Sequence, residues 1–158
     1  MSRELIISKI REGIVIDHVL AGRAMIILKI LNISGLEGRV ALVMNVESSK
    51  MGRKDIIKIE GRDLTHDELN LIALISPTAT VNRIRNYEVA EKFRVQLPTK
   101  VRGIVKCKNP KCITNKPREP ITSSFTVIKG DQAVLKCDYC GAYNSLEDVE
   151  RQLVSRGE

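Results

Sequence analysis

Four cysteines constrain the fold of this chain more tightly than any other feature. Cys107 and Cys112 form a C-x4-C pair, Cys137 and Cys140 form a C-x2-C pair, and 24 residues lie between the pairs. Two short loops that each turn a pair of thiolates toward one point, joined by a stretch long enough for a hairpin, suit a single tetrahedral ion. Phe125 to Lys129 and Ala133 to Cys137 are strand-like and flank Gly130-Asp131, so the hairpin returns Cys137 to the first pair. Gly141, directly after the second pair, is a residue able to take positive φ. The spacing predicts a small zinc-ribbon-like β domain.

Other uses of four cysteines remain open at this point. Two disulfides would consume the same residues. The opening MSRELIISKIRE, however, is charged throughout and reads as neither a secretory signal nor a membrane span, which favours a cytoplasmic chain with reduced thiols. A redox C-x2-C opens a helix after a strand, whereas Gly141 follows Cys140 here. Iron also accepts four thiolates, but the wide C-x4-C gives no reason to prefer it, and one structural zinc is the expected ion. With every thiolate a ligand, no position stays open for water, so the ion holds a fold rather than polarising a substrate.

Upstream of the cysteines the grammar is different. Leu5 to Ile10 and Ile14 to Ile16 look like paired strands, and Ala21, Ala24, Met25, Leu28 and Leu31 recur at helical spacing. Ile26, Ile27 and Ile30 make that helix apolar on most of its circumference, predicting deep burial. Val40, Leu42, Met44 and Val46 alternate as a strand, and Ile57 with Ile59 repeats the period after a Ser48–Gly52 loop. Thr65 and Glu68 form a capping box, with Leu64 and Leu69 placed for a hydrophobic staple, and Ser76-Pro77 ends the helix. Thr80 to Arg85 and Tyr87 to Val95 read as further strands. Strand, helix, strand, strand, helix, strand is the order of a ferredoxin-like split unit. The expected architecture is therefore α+β. A ferredoxin-like α/β sandwich with an antiparallel sheet spans residues 1–98, and the zinc-ribbon-like β domain spans 99–158, closing on a capped helix from Ser145.

Charge and composition exclude some functions and leave others. A net charge of +7 attracts anions, whether nucleic acid, nucleotide phosphates or an acidic partner face. With no Trp and 3% aromatics, the platform for stacking exposed bases is nearly missing. Asp17-His18 could form an acid–base pair, but the chain has only two His and no nucleophile, base and orienter that spacing brings together. No enzyme activity is expected.

Three blocks narrow the field. Val15-Ile16-Asp17-His18, Met51-Gly52-Arg53-Lys54-Asp55 with Ile57-Lys58-Ile59-Glu60, and Thr80-Val81-Asn82-Arg83-Ile84 with Asn86-Tyr87-Glu88-Val89 and Lys92 resemble the aspartate carbamoyltransferase regulatory chain. Ser123-Ser124-Phe125 and Leu135-Lys136-Cys137 with Tyr139-Cys140 extend the likeness over nearly the whole chain. The resemblance implies a non-catalytic subunit of pyrimidine nucleotide biosynthesis. Its first domain would bind CTP or ATP, with UTP a further candidate, and its zinc domain would dock on the catalytic chain. It also implies a regulatory homodimer and a two-state quaternary equilibrium shifted by the nucleotide.

Carried over by position, the resemblance places Lys92 and His18 at the triphosphate and Asp17 and Lys58 at the ribose. Backbone from Ile7 to Ile10, including Ser8, and near Tyr87 would meet the base, with Asn82, Ile84 and Val89 as pocket wall. Asn109, Lys111 and Gly141 fall at positions that face the catalytic chain; Asn109 matches the family pattern, while Lys111, Gly141 and Ser8 depart from it. Neither nucleic acid nor a membrane is an expected partner. The alternative is a zinc-ribbon nucleic-acid-binding protein, drawing on the net charge, on Lys106, Lys108 and Lys111 beside the first cysteines, and on Arg83 and Arg85.

Overall fold

Isoleucine and valine at alternate positions build the first sheet. In β1 (Glu12–Leu20), Ile14 and Ile16 are fully buried while the residues between them are half-exposed, the period of a strand with one covered face. The computed structural model describes residues 9–33, 38–118 and 120–156, the last four as backbone only. The elements that follow are α1 (Ala24–Ile30), β2 (Val40–Ser48), β3 (Gly52–Glu60), α2 (His66–Ile75), β4 (Thr80–Arg85) and β5 (Glu88–Arg94). The second sheet then takes β6 (Lys100–Arg102), β7 (Ser124–Ile128), β8 (Val134–Cys137) and β9 (Tyr143–Asn144), and α3 (Leu146–Arg156) closes the chain.

The first sheet has the order β2-β3-β1-β4-β5 with every neighbour antiparallel. Its first four strands, with α1 and α2, are the expected split unit, and β5 adds a fifth strand at the β4 edge. Ile14, Ile16, Ile57, Ile59 and Val81 face Ile27, Leu31, Ile72 and Ile75 of the helices in one apolar core. The capping box at α2 is present in full: the Thr65 hydroxyl accepts from the Glu68 N–H, and the Glu68 carboxylate accepts from the Thr65 N–H. The second sheet runs β6-β7-β8-β9, and α3 covers it. The α+β class is as expected, a ferredoxin-like sandwich followed by a zinc-ribbon-like β unit.

One element differs from expectation. Helix α1 is shorter than its apolar run and its Met25 is 50% exposed, whereas Ala24, Ile27 and Leu31 are buried in the first core. Ile26 and Ile30 lie between the first core and the second. The strand expected over Leu5 to Ile10 lies mostly outside the described residues, and so do Ile7 and Ser8. No helix among the described residues is long and apolar enough to cross a membrane.

Both neighbours of β3 bulge at the same level. The register shifts between Ile16 and Val19 of β1 and between Val43 and Val46 of β2. His18 and Asn45, inside these bulges, each take φ +56°. Asp55, fully buried, sits between the two. One of its oxygens accepts from the N–H of Gly22 (2.9 Å) and Ala24 (3.1 Å), the other from the N–H of Asn45 (2.8 Å). The carboxylate thereby satisfies donors that two interrupted ladders and a turn into α1 leave free.

Candidate functional site

The hairpin β7–β8 returns Cys137 opposite Phe125, and the tight turn after it returns Cys140. Gly141 takes φ +78° and donates to the Cys137 carbonyl, a conformation that side chains rarely adopt. On the other side, Cys112 donates its N–H to the Asn109 carbonyl, and the Asn115 amide donates to the carbonyls of Cys107 and Asn109, closing the C-x4-C loop. The four Sγ atoms come within 4.8 Å of one another. Cys107 and Cys140 are 3.6 Å apart, Cys112 and Cys137 3.7 Å. Disulfide sulfurs sit about 2.05 Å apart, whereas ligands at about 2.3 Å on a tetrahedron sit about 3.8 Å apart. The cysteines are free thiols with metal-ligand spacing.

Their protonation is uneven. Burial pushes the Cys107 thiol up to about 12 and raises Cys137 as well. The N–H of Ala142 lowers Cys140 to about 6, helped by the Asn109 side chain, and Cys140 is the exposed member of the set. A soft divalent cation would enter from the Cys140 side and displace protons from the buried thiols. Asn109 and Gly141 are half-buried beside that opening and Lys111 is exposed. Asp138 braces the second loop against β7: its carboxylate accepts from Ser124 Oγ (2.6 Å), Thr126 Oγ1 (2.6 Å) and Lys100 Nζ (2.9 Å), bonds that hold it well below the usual carboxylate range.

The second constellation lies on the helix-free face of the first sheet. Register aligns Lys58 with Val15, Val15 with Asn82, and Asn82 with Lys92, so one row crosses β3, β1, β4 and β5. Directly opposed residues share a face. Ile84 and Val89 pair in the adjacent row beside Gly13, and Asp17 pairs with Thr80 in the row on the other side. Asn82 Oδ1 is buried and meets no donor among the described residues. Gly13 takes φ +152°, and a Cβ there would strike the Ile59 carbonyl and approach the Ile10 side chain.

The sheet thus brings together Asp17, Lys58, Asn82, Ile84, Val89 and Lys92. Tyr87 is exposed in the β4–β5 turn at φ +67°, with its N–H on the Arg11 carbonyl, and Ile10 is buried below Gly13. His18 Nδ1 lies 2.9 Å from Thr80 Oγ1. One residue of this face was missed by sequence reasoning: Lys54, whose Nζ lies 2.9 Å from Asp17 Oδ1. Alternation along β3 puts Lys54 on the same face as Lys58, and that was the signal available. By contrast, Arg83 is engaged within the chain, since it pairs with Asp63 and Glu91 and lies over the Phe93 ring. These contacts raise its own pKa, the Glu91 bond most.

Residues 5–96 match the family model described as aspartate carbamoyltransferase regulatory chain, allosteric domain, and residues 99–150 match the one described as the metal binding domain of the same chain. The chain belongs to the aspartate carbamoyltransferase regulatory chain family. Regulatory chains of that name from Caldivirga maquilingensis (59% identical over 151 residues, 96% of this chain and 93% of that one) and Pyrobaculum arsenaticum (57% over 150 residues, 94% and 99%) are similar over almost their full length. The regulatory chain of Korarchaeum cryptofilum is 53% identical over 154 residues, 97% of this chain and 98% of that one. The expected resemblance is borne out, and with it a regulatory rather than catalytic role. The metal binding domain of this regulatory-chain family spans all four clustered cysteines.

Proposed function

We propose that residues 1–98 bind a free nucleoside triphosphate, CTP or ATP with UTP as a further candidate, on the helix-free face of the first sheet. Residues 99–158 hold one structural zinc through Cys107, Cys112, Cys137 and Cys140 and dock on the catalytic chain of aspartate carbamoyltransferase. The observation that carries the nucleotide reading is the row of Lys58, Val15, Asn82 and Lys92, with two cations flanking an unmet amide oxygen. Ammonium groups suit phosphate oxygens, and a buried acceptor suits an exocyclic amine or a sugar hydroxyl. Lys92 and His18 take the triphosphate, Asp17 and Lys58 the ribose, and backbone near Ile10 and Tyr87 the base. The resemblance also assigns Ile7 and Ser8 to the base, and both lie outside the described residues. Four thiolates in a tetrahedral setting suit zinc among common structural ions.

Asn109, Lys111 and Gly141 form the surface offered to the catalytic chain. The chain works in the cytoplasm within pyrimidine nucleotide biosynthesis. Two copies pair along β2, one of the two edge strands of the first sheet among the described residues. This strand carries apolar Val43 and Met44, whereas the opposite edge, β5, is charged through Glu88, Glu91, Lys92 and Arg94. Nucleotide binding shifts a quaternary equilibrium only as far as its affinities for the two states differ.

The test is equilibrium titration of the full chain with CTP, ATP and UTP, with a labelled RNA as the rival ligand. Lys92→Ala is expected to weaken triphosphate binding roughly tenfold to a hundredfold, the worth of about 1.5–3 kcal/mol for a charged hydrogen bond, while leaving thermal stability in place. RNA binding with a steep salt slope and no triphosphate affinity would establish the nucleic-acid reading instead.

A further inference from the structure

We infer that Asn144 is a positioning residue of the cysteine centre: it orients the Cys107 sulfur and ties the two cysteine loops to each other. The inference rests on the metal reading of the cluster. Asn144 is fully buried at the end of β9, opposite Leu135 of β8. Its Oδ1 accepts the N–H of Lys108, the residue after Cys107, at 2.7 Å. A backbone N–H can only donate, so this contact fixes which end of the amide is oxygen. The NH2 group then faces the Cys107 Sγ at 3.8 Å, the Ala142 carbonyl at 3.3 Å and the Leu135 carbonyl at 3.4 Å.

One side chain therefore holds the backbone and sulfur of the first loop and a carbonyl of the second. Ala142 is also the residue whose carbonyl accepts the Cys137 N–H, so the amide links Cys107 to the strand end that sets Cys137. The chemistry needs such a donor. Cys107 is 4% exposed, and a buried thiolate without hydrogen bonds carries a large desolvation cost. The NH2 group of Asn144 is such a donor, 3.8 Å from this sulfur. Groups that orient a ligand from behind typically change metal affinity ten- to a hundredfold.

Asn144→Asp keeps the shape, removes the NH2 donors and sets an acceptor against the sulfur. Ser123→Ala is the matched control, since the Ser123 hydroxyl donates to the Val105 carbonyl, outside both cysteine loops. The full chain is purified, its metal content measured, and metal loss to a chromogenic chelator followed. The cobalt-substituted forms are compared by their thiolate-to-cobalt absorption. Asn144→Asp is expected to release metal at least about tenfold faster and to move that absorption to lower energy, while Ser123→Ala leaves the absorption in place. A wild-type chain that holds no metal defeats the metal reading itself. A wild-type chain that holds metal, with Asn144→Asp matching it in release rate and absorption, defeats the Asn144 role alone. Should the variant not fold, wild-type chain loaded with cadmium-113 decides. Coupling between the metal and an Asn144 amide proton supports the role, and its absence overturns it.

Discussion

Asp55 is a charged residue with no exposed surface, and all three of its described partners are backbone N–H groups. Removing the carboxylate leaves three backbone N–H groups unpaired, that of Ala24 buried and those of Gly22 and Asn45 part-buried, at on the order of 1–3 kcal/mol for each that water does not reach. Asp55→Ala is accordingly expected to lose at least about 3 kcal/mol, measured by urea unfolding, without altering the spectrum of a metal-loaded cysteine centre. A loss below about 1 kcal/mol would mean that water replaces the carboxylate. Nothing in the sequence marked Asp55, which stood inside Met51-Gly52-Arg53-Lys54-Asp55 as one more polar residue near a turn. Its role depends on two bulges, and a bulge is decided by pairing with residues distant in the chain. The same holds for Asn144, which read as a polar residue just before a helix cap. The cysteines were legible because metal chemistry imposes short local spacing. The residues proposed to face the nucleotide came from family likeness, and only the register shows why Lys58, Asn82 and Lys92 share a face.

Helix ends were the most legible elements, since their chemistry lies within four residues. The Thr65–Glu68 box recurs at α3, where Asp148 accepts from the Ser145 N–H (2.8 Å) and donates its own N–H to Ser145 Oγ (3.2 Å). The Ser145 N–H, more than any other contact, lowers the Asp148 pKa, with Lys108 adding to it. A folded value below the unfolded one, about 3.9, means that the cap contributes in full above about pH 5. That contribution disappears as pH falls through the folded value. Local opening of α3, read from hydrogen exchange after correction for the intrinsic pH dependence of exchange, is expected to quicken across that acid range in the wild-type chain. In Asp148→Asn it should already be faster at pH 7 and change less with acid, and Ser145→Ala should cost about 1 kcal/mol. An α3 whose protection is the same in all three proteins would remove the cap from the account. Strand edges were harder to read, because alternation reports burial on a face and says little about which strand lies outermost.

The first sheet ends in two unlike borders, and the proposed homodimer uses the apolar one. Met44 is 39% exposed in β2, so Met44→Lys adds a charge at that border without opening the core. Sedimentation is expected to find the variant monomeric at concentrations where the wild-type chain is dimeric, with the melting temperature unchanged. A dimer that survives the substitution places the contact elsewhere. Both halves of the chain also draw on one helical layer. Leu71 and Leu74 of α2 sit in the core that holds Cys107, Cys112 and Cys137, while Ile72 and Ile75 sit in the core beneath the first sheet. Arg23, just before α1, reaches Glu150 of α3 at 3.6 Å. The helices are thus a common keel rather than a lining owned by either side. Under the proposed function, a small tilt imposed on these helices at one sheet would arrive at the other as a change of bearing.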